Sequence, residues 1–344
     1  MGTDPKERTG EAGGVWRQIP AAVAAFGLCV TKLQPLGGEF DQTFTATTDA
    51  GRQIVVKVYR EADVDGVRWQ HRLLDRLADT VPVPAVLRTR SGEDLGELGD
   101  GWYLGVYSWI DGRLLAELDA HQPALLADWG ATAARIVVGL TGMHTIGTPP
   151  PTHLWDLLAA PRALTVALPS LVEPVHREIC EDALAVFADV IAPAAGIVPK
   201  SVVHQDLNDF NVLADVAGSR IAGVIDFADA LYTARVCEPA IAGAYAMLRK
   251  DDPIAALADV TAGFNRVLPL TDTELALIYP LALVRLAVNA ATWTARRDDS
   301  TRAYGRARSQ YTWLTLARLR CIPRDAAEAR IRSVAIVKGT PNGQ

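Results

Sequence analysis

The chain has few cysteines and no excess of basic residues. Cys29, Cys180, Cys237 and Cys321 are scattered, with neither a CxxC pair nor tight Cys/His spacing. That argues against a zinc site or a disulfide framework and leaves buried thiols. A formal net charge of −6 argues against a general nucleic-acid surface, because polyphosphate binding needs a basic face. No positively charged leader followed by an apolar run opens the sequence. Its longest apolar stretch, "LALIYPLALVRLAV", is broken by Pro280 and Arg285, so no membrane association is expected and the protein reads as soluble and cytoplasmic. The polar, highly charged signature of disorder is also missing: 49% of residues are hydrophobic and 22% charged, a globular balance. Only residues 1–15 and 336–344 are expected to be flexible.

A chain of 344 residues exceeds one compact module and suggests two lobes or domains. From Gln34 to about Tyr59 the text reads as strands: "FTATT", a turn at "DAG", then "QIVVKVY" with β-branched alternation. "DVDGVRWQHRLLDRLAD" follows with helical spacing at Val67, Leu73, Leu74 and Leu77, and "VPVP" stops it. "GWYLGVYSWIDGRLL" supplies another strand running into a turn at Asp111-Gly112. From Pro123 the period is helical through most of the remaining chain, as in "PALLADWGATAARIVVGLTGMHTI" and "PVHREICEDALAVFADVIAPA", with a further series from Ile254 to about Ala335. One stretch departs from this. "SVVHQDLNDFNVLAD" and "RIAGVIDFADA", joined by the turn "VAGS", read as two short strands inside the helical half. The expected fold is α+β and bilobal, with a β-rich N-lobe over 16–111 and a helical C-lobe over 112–335.

That exceptional stretch concentrates the chemistry. Asp206 and Asn211 lie in a loop between short strands, and Asp226 follows across the hairpin at the end of "GVI". Three oxygen-bearing side chains can therefore converge, and a few hard oxygen donors that leave room for water and phosphate suit Mg²⁺. Phosphoryl transfer needs such metal ions, a cation on the phosphates, and a carboxylate that orients the acceptor hydroxyl and takes its proton. Asn211 and Asp226 fit the metal roles and Asp206 the base. Lys57, among Val55, Val56, Val58 and Tyr59, is a charge in an apolar strand and fits the cation. In "LGGEFDQTF", Gly37 and Gly38 form a turn that either lies over nucleotide phosphates or is simply tight.

Together these segments resemble the aminoglycoside phosphotransferase-like small-molecule kinases, relatives of the protein kinases. "HQDLNDFN" followed by "IDFADA" looks like that family's HxDxxxxN and metal-binding motifs. "LGGEFDQTF", "VVKV", "HLWDL" and "VVHQDLNDFNVL…IAGVIDFADALYT" resemble its hydroxylysine kinase-like branch. The resemblance implies a protein-kinase-like fold with ATP or GTP as phosphoryl donor and Mg²⁺ as cofactor. It makes Asp206 the catalytic aspartate, Asn211 and Asp226 the metal ligands, and Lys57 the phosphate-contacting lysine. "YSWID" then occupies the hinge, where backbone groups of Tyr107, Ser108, Trp109 and Ile110 hold the purine. There is one departure. The family often places a glutamate on the first N-lobe helix to pair with the strand lysine, and "VRWQHRLL" offers Gln70 instead, or Glu61 from the preceding turn.

Several residues have plainer readings. His204 suits a structural histidine bracing the loop, Asn208 a loop former, Asp229 a cap for the helix after "DFADA", and Asp209 a solvent-facing acid. Even so, Asp206, Asp209, Asp229 and Glu238 exceed what metals require, and surplus carboxylates favour an amine-bearing acceptor. Arg285, Asn289 and Trp293 fall at i, i+4, i+8 on one helical face, which either packs or lines the acceptor pocket together with Tyr232, Trp155 and Tyr304. The expected function is a small-molecule kinase for an amino alcohol such as hydroxylysine. The alternatives are an antibiotic phosphotransferase and a catalytically silent nucleotide-binding pseudokinase.

Overall fold

A computed structural model describes residues 16–36, 42–146, 153–296, 305 and 309–339. The chain forms two compact units, one from residues up to 78 together with 83–110, the other from 79–82 and 111 onward.

The first unit is built on a five-stranded antiparallel sheet of β1 (Val30–Pro35), β2 (Gln42–Thr48), β3 (Gln53–Arg60), β4 (Gly96–Gly99) and β5 (Trp102–Ser108), in the order β1-β2-β3-β5-β4. Alternation in β3 sends Ile54, Val56 and Val58 into a core with Phe44, Ala46, Leu104, Val106 and the helical-turn residues Ile19, Val23 and Phe26. Each such valine, leucine, isoleucine or phenylalanine contributes about 1.5–3 kcal/mol when fully buried. By the same alternation Lys57 stands on the opposite face, paired across to Thr43 on β2 and Gly105 on β5. The helix Val64–Leu77 buries Val64, Val67, His71 and Leu74, spaced by three and four residues. Val64 and Val67 pack on Tyr59 and Leu95. The strand β1, the turns at Trp16–Phe26 and β4 were not legible in the sequence pattern.

Helices dominate the second unit. Pro123–Gly139 and Pro253–Val267 approach backbone to backbone: a Cβ on Gly130 would lie 1.8 Å from the Val260 carbonyl oxygen, and one on Gly263 equally close to that of Ala127. Both positions therefore require glycine. The 24-residue helix Asp272–Ala295 starts with a capping box, in which the Thr271 hydroxyl accepts from the Glu274 N–H (3.2 Å) and Glu274 accepts from the Thr271 N–H (2.9 Å). It is long and apolar enough to cross a membrane, but 83% of its most apolar window is buried inside the protein.

Where two strands were expected there are four. β7 (Lys200–Val203) pairs with β10 (Leu231–Ala234), and β8 (Val212–Ala214) pairs with β9 (Ile221–Val224), which extends a sheet begun by β6 (Arg113–Leu114). The polar runs 204–211 and 225–230 interrupt the ladders, so both become loops emerging from short buried strands.

Candidate active site

The loop after β7 is held from below by Glu238, at the start of the helix Cys237–Ala246. This carboxylate is 0% exposed. Its two oxygens accept the backbone N–H groups of His204 (3.0 Å) and Gln205 (3.1 Å). Burial pushes its pKa up to about 7, against the pull of those two donors. Glu238 is thus a support of the loop and not the acceptor-facing carboxylate the sequence suggested.

His204 continues the brace. Its Nδ1 accepts the Asp206 N–H (3.2 Å), which fixes the proton on Nε2, and Nε2 donates to the Ile225 carbonyl (2.9 Å). Burial holds its pKa below the ordinary histidine value, so the ring is neutral and ties the two polar loops together. Gln205 sits at φ 68° and Asp226 at φ 64°, left-handed conformations that non-glycine residues seldom adopt away from functional loops.

Asp206 emerges from this scaffold with its side chain 22% exposed. One oxygen, Oδ1, is paired with Arg285 Nη2. The other, Oδ2, accepts from Asn211 Nδ2 (2.7 Å), which also reaches the Asp206 carbonyl (2.9 Å). With its NH₂ turned to Asp206, Asn211 directs its acceptor oxygen to the other side of the amide. The Asn211 carbonyl receives the Ile225 N–H (2.9 Å), which sets Asp226 next to it in register. Among the described residues no cage of three or more acidic, thiol or imidazole groups gathers. An amide carbonyl and a carboxylate are nevertheless hard donors that fit Mg²⁺ when phosphate and water complete its shell. The residues present therefore fit the metal.

The neighbouring residues are arranged differently from the sequence expectation. Arg285 is 2% exposed and also donates through Nη1 to the Trp155 carbonyl (3.2 Å), which Gln205 Nε2 reaches as well (3.3 Å). Arg285 Nε and Gln205 Oε1 are buried with no hydrogen-bond partner among the described residues. Asn289 lies one turn beyond Arg285, where Nδ2 donates to the Tyr245 hydroxyl (3.1 Å) and Oδ1 accepts from Thr312 (3.2 Å). Both residues point into the protein, so this helical face is a buried polar seam and does not line an open acceptor pocket. Trp293, also buried, lies 6.1 Å from the Trp155 ring, with Arg296 over it at 4.6 Å.

Asp229 does not cap the next helix, because β10 intervenes; its carbonyl instead accepts from His153 Nε2 (3.0 Å). Asp209 is buried rather than solvent-facing, with Arg249 Nη2 at 3.6 Å. Tyr232 is 39% exposed and stacks on His144 at 4.2 Å. Asn208 shapes the loop as expected, accepting the Phe210 N–H at 2.8 Å. Gln205 and Tyr245 were missed from sequence. The first carried no signal beyond its place between His204 and Asp206, and the second none at all.

In the first unit Tyr107 lies within β5, and its hydroxyl bonds His71 Nε2 (2.6 Å) and the Tyr59 hydroxyl (2.8 Å). The Ser108 N–H is committed to the Ala85 carbonyl (2.9 Å), so it is not available to a purine. Trp109 and Ile110 follow the strand. Gly37, Gly38 and Tyr304 lie outside the described residues.

Comparison with known proteins agrees with this chemistry. Residues 32–274 match the model of the phosphotransferase enzyme family, and the chain belongs to that family. Hydroxylysine kinase from Bos taurus is 28% identical over 291 residues, covering 76% of this chain and 77% of that protein. Among solved structures, an amicoumacin kinase in complex with AMP-PNP, Ca²⁺ and Ami aligns with a TM-score of 0.63 at 16% identity, over 93% of this chain and 96% of that one. A microcompartment-associated aminopropanol kinase aligns with a TM-score of 0.59 at 16% identity, over 93% and 98%. The fold is the kinase-like one, and the protein is a phosphotransferase acting on a hydroxyl group.

Proposed function

We propose that this protein is a metal-dependent kinase that moves the γ-phosphoryl group of ATP or GTP onto the hydroxyl of a small, amine-bearing acceptor of the amino-alcohol class. The observation that carries the reading is the Asp206 carboxylate, partly exposed yet held by Asn211 and Arg285 on a loop that Glu238 and His204 brace from below. Similarity to hydroxylysine kinases over three quarters of both chains favours an amino alcohol over an antibiotic.

In this reading residues 16–111 bind nucleotide, and 112–335 carry the catalytic loop and the acceptor site. Asp206 orients the acceptor hydroxyl. As its oxygen bonds the γ-phosphorus, the bond from that phosphorus to the bridging oxygen breaks, the electron pair leaves with the nucleoside diphosphate, and the proton passes to Asp206. Lys57 steadies the phosphates, and Asn211 and Asp226 hold Mg²⁺. Bound there, the cation would neutralise charge on the phosphate oxygens. Asp206 and Asp229 favour a cationic acceptor by charge complementarity.

The test is transfer from ATP and from GTP with Mg²⁺, across hydroxylysine, ethanolamine, choline, homoserine and a set of aminoglycosides, with Asp206→Asn in parallel. A phosphorylated amino alcohol is expected from the wild type. Asp206→Asn should lose about 10³-fold in rate while still binding nucleotide. Near-equal turnover by the two proteins would remove Asp206 from its role, and nucleotide binding without product from any acceptor would overturn the kinase reading.

A further inference from the structure

Arg285 has no part in the reaction as written above, yet it makes the ion pair with the proposed base. It projects from the middle of Asp272–Ala295, where Val284, Leu286 and Val288 are all buried. A charge there loses its hydration, which burial alone would not repay. Burial works against the cation, but Tyr245 and Asp206 beside it more than compensate, and its pKa lies above the ordinary arginine value. The guanidinium carbon is 5.6 Å from the Tyr245 ring and 5.3 Å from that of Trp155. Behind it the chain Tyr245, Asn289, Thr312 is hydrogen-bonded throughout.

Two features separate this residue from a ligand contact and from a merely structural pair. It is 2% exposed, with one terminal nitrogen given to Asp206 and the other to the Trp155 carbonyl, so it presents nothing to an acceptor. Its planar fork also serves two acceptors on different segments at once, the 204–211 loop and the 153–156 segment, which a lysine's single ammonium does less well. With Arg285 on Oδ1 and Asn211 on Oδ2, the Asp206 carboxylate is fixed against rotation. Each oxygen keeps a second lone pair for a hydroxyl proton.

Resting on the phosphotransfer reading, we propose that Arg285 is a positioning residue of the reaction: it sets the rotation of the Asp206 carboxylate and locks it to the Trp155 segment, without touching nucleotide or acceptor. Misplacing a reacting group by about 1 Å costs on the order of 100-fold in rate. The experiment compares Arg285→Ala and Arg285→Lys with wild type for kcat, for nucleotide KM and for rescue by free guanidinium. Arg285→Ala is expected to lose about 100-fold in kcat with nucleotide KM changed less than about twofold. Guanidinium in solution should then restore about tenfold, and methylammonium should not. Arg285→Lys, which keeps the charge and reports even where the alanine variant does not fold, should fall about tenfold because it lacks the fork. Wild-type kcat in Arg285→Lys would overturn the proposal, as would a folded Arg285→Ala whose loss guanidinium leaves untouched. Absence of product from the wild type itself would instead sink the kinase reading, and this proposal with it.

Discussion

In the first unit a buried polar chain runs outward: Tyr59 to Tyr107, Tyr107 to His71, His71 Nδ1 to Asp94 (3.0 Å), and from Asp94 to the half-exposed Arg68 and Arg88. In the second unit the corresponding chain runs inward, from Thr312 through Asn289 and Tyr245 towards Arg285, and ends on the carboxylate of Asp206, the proposed base. The outward chain discharges its polarity into solvent, where each end group is cheaply satisfied. The inward chain meets solvent only at the partly exposed Asp206 and the Glu238 brace not at all, so a lost partner further in leaves a buried group unpaired. Supports of the 204–211 loop should therefore be far less replaceable than the polar links of the sheet unit.

Glu238 gives the largest expected difference. Glu238→Ala orphans the His204 and Gln205 N–H groups and should cost about 2–4 kcal/mol by denaturant melts. Glu238→Gln tests the charge. Since its folded pKa, about 7, lies above the ordinary glutamate value of 4.5, the folded state holds the proton more tightly than the unfolded chain. The stability from that proton is present at acid pH and declines as pH rises through the window between those values. His204 has the opposite sign: its depressed pKa makes stability fall as pH drops below the ordinary histidine value. Relative to wild type, Glu238→Gln should therefore gain stability as pH rises from ~4.5 to ~7. A pH-independent difference between the two proteins would show that Glu238 does not titrate in that range.

The same contrast explains what was legible in the sequence. The lobes, the long helices and the Asp206–Asn211–Asp226 order were readable because each rests on local periodicity or on a motif within a few residues. The supports were not, because Glu238 and Arg285 reach the loop from helices 33 or more positions further along the chain, with Tyr245 standing behind Arg285. A charged residue on an apolar helix gives the same pattern whether it lines a pocket or pairs with a buried carboxylate. Hence Arg285 and Asn289 read equally as packing face or pocket wall, and Asp209 as solvent-facing when Arg249 in fact covers it. Nor does strand alternation show that the Tyr107 hydroxyl is taken by His71.

Gly105 offers a smaller effect in the sheet unit. A Cβ there would lie 2.7 Å from the Tyr107 hydroxyl and 3.0 Å from its Cζ, and that hydroxyl is pinned by His71 and Tyr59. Gly105→Ala should cost about 1–3 kcal/mol through forced repacking. In a Tyr107→Phe background the hydroxyl contact is gone and the cost should shrink, a coupling that a double-mutant cycle reads directly. Additive costs would mean that Tyr107 moves aside freely and that the outward chain is not a rigid link.

The smallest effect belongs at the solvent end. Arg88 pairs with Asp75, both side chains being over 40% exposed, and lies 3.8 Å from Asp94. An exposed pair of this kind contributes about 0–1 kcal/mol, so Arg88→Ala should leave the melting curve almost unchanged. The histidine should still register the loss. Burial is the main cause of the lowered pKa of His71, Asp94 opposes it, and the positive charge of Arg88 lowers it further. Removing Arg88 should therefore raise the His71 pKa, visible as a shift of its ring signals in an NMR titration. A raised pKa with unchanged stability would show that the outward chain passes charge effects inward while bearing little of the fold's stability. An unmoved His71 would mean that solvent screens Arg88 before its field reaches the buried ring, and the chain would then end, electrostatically, at Asp94.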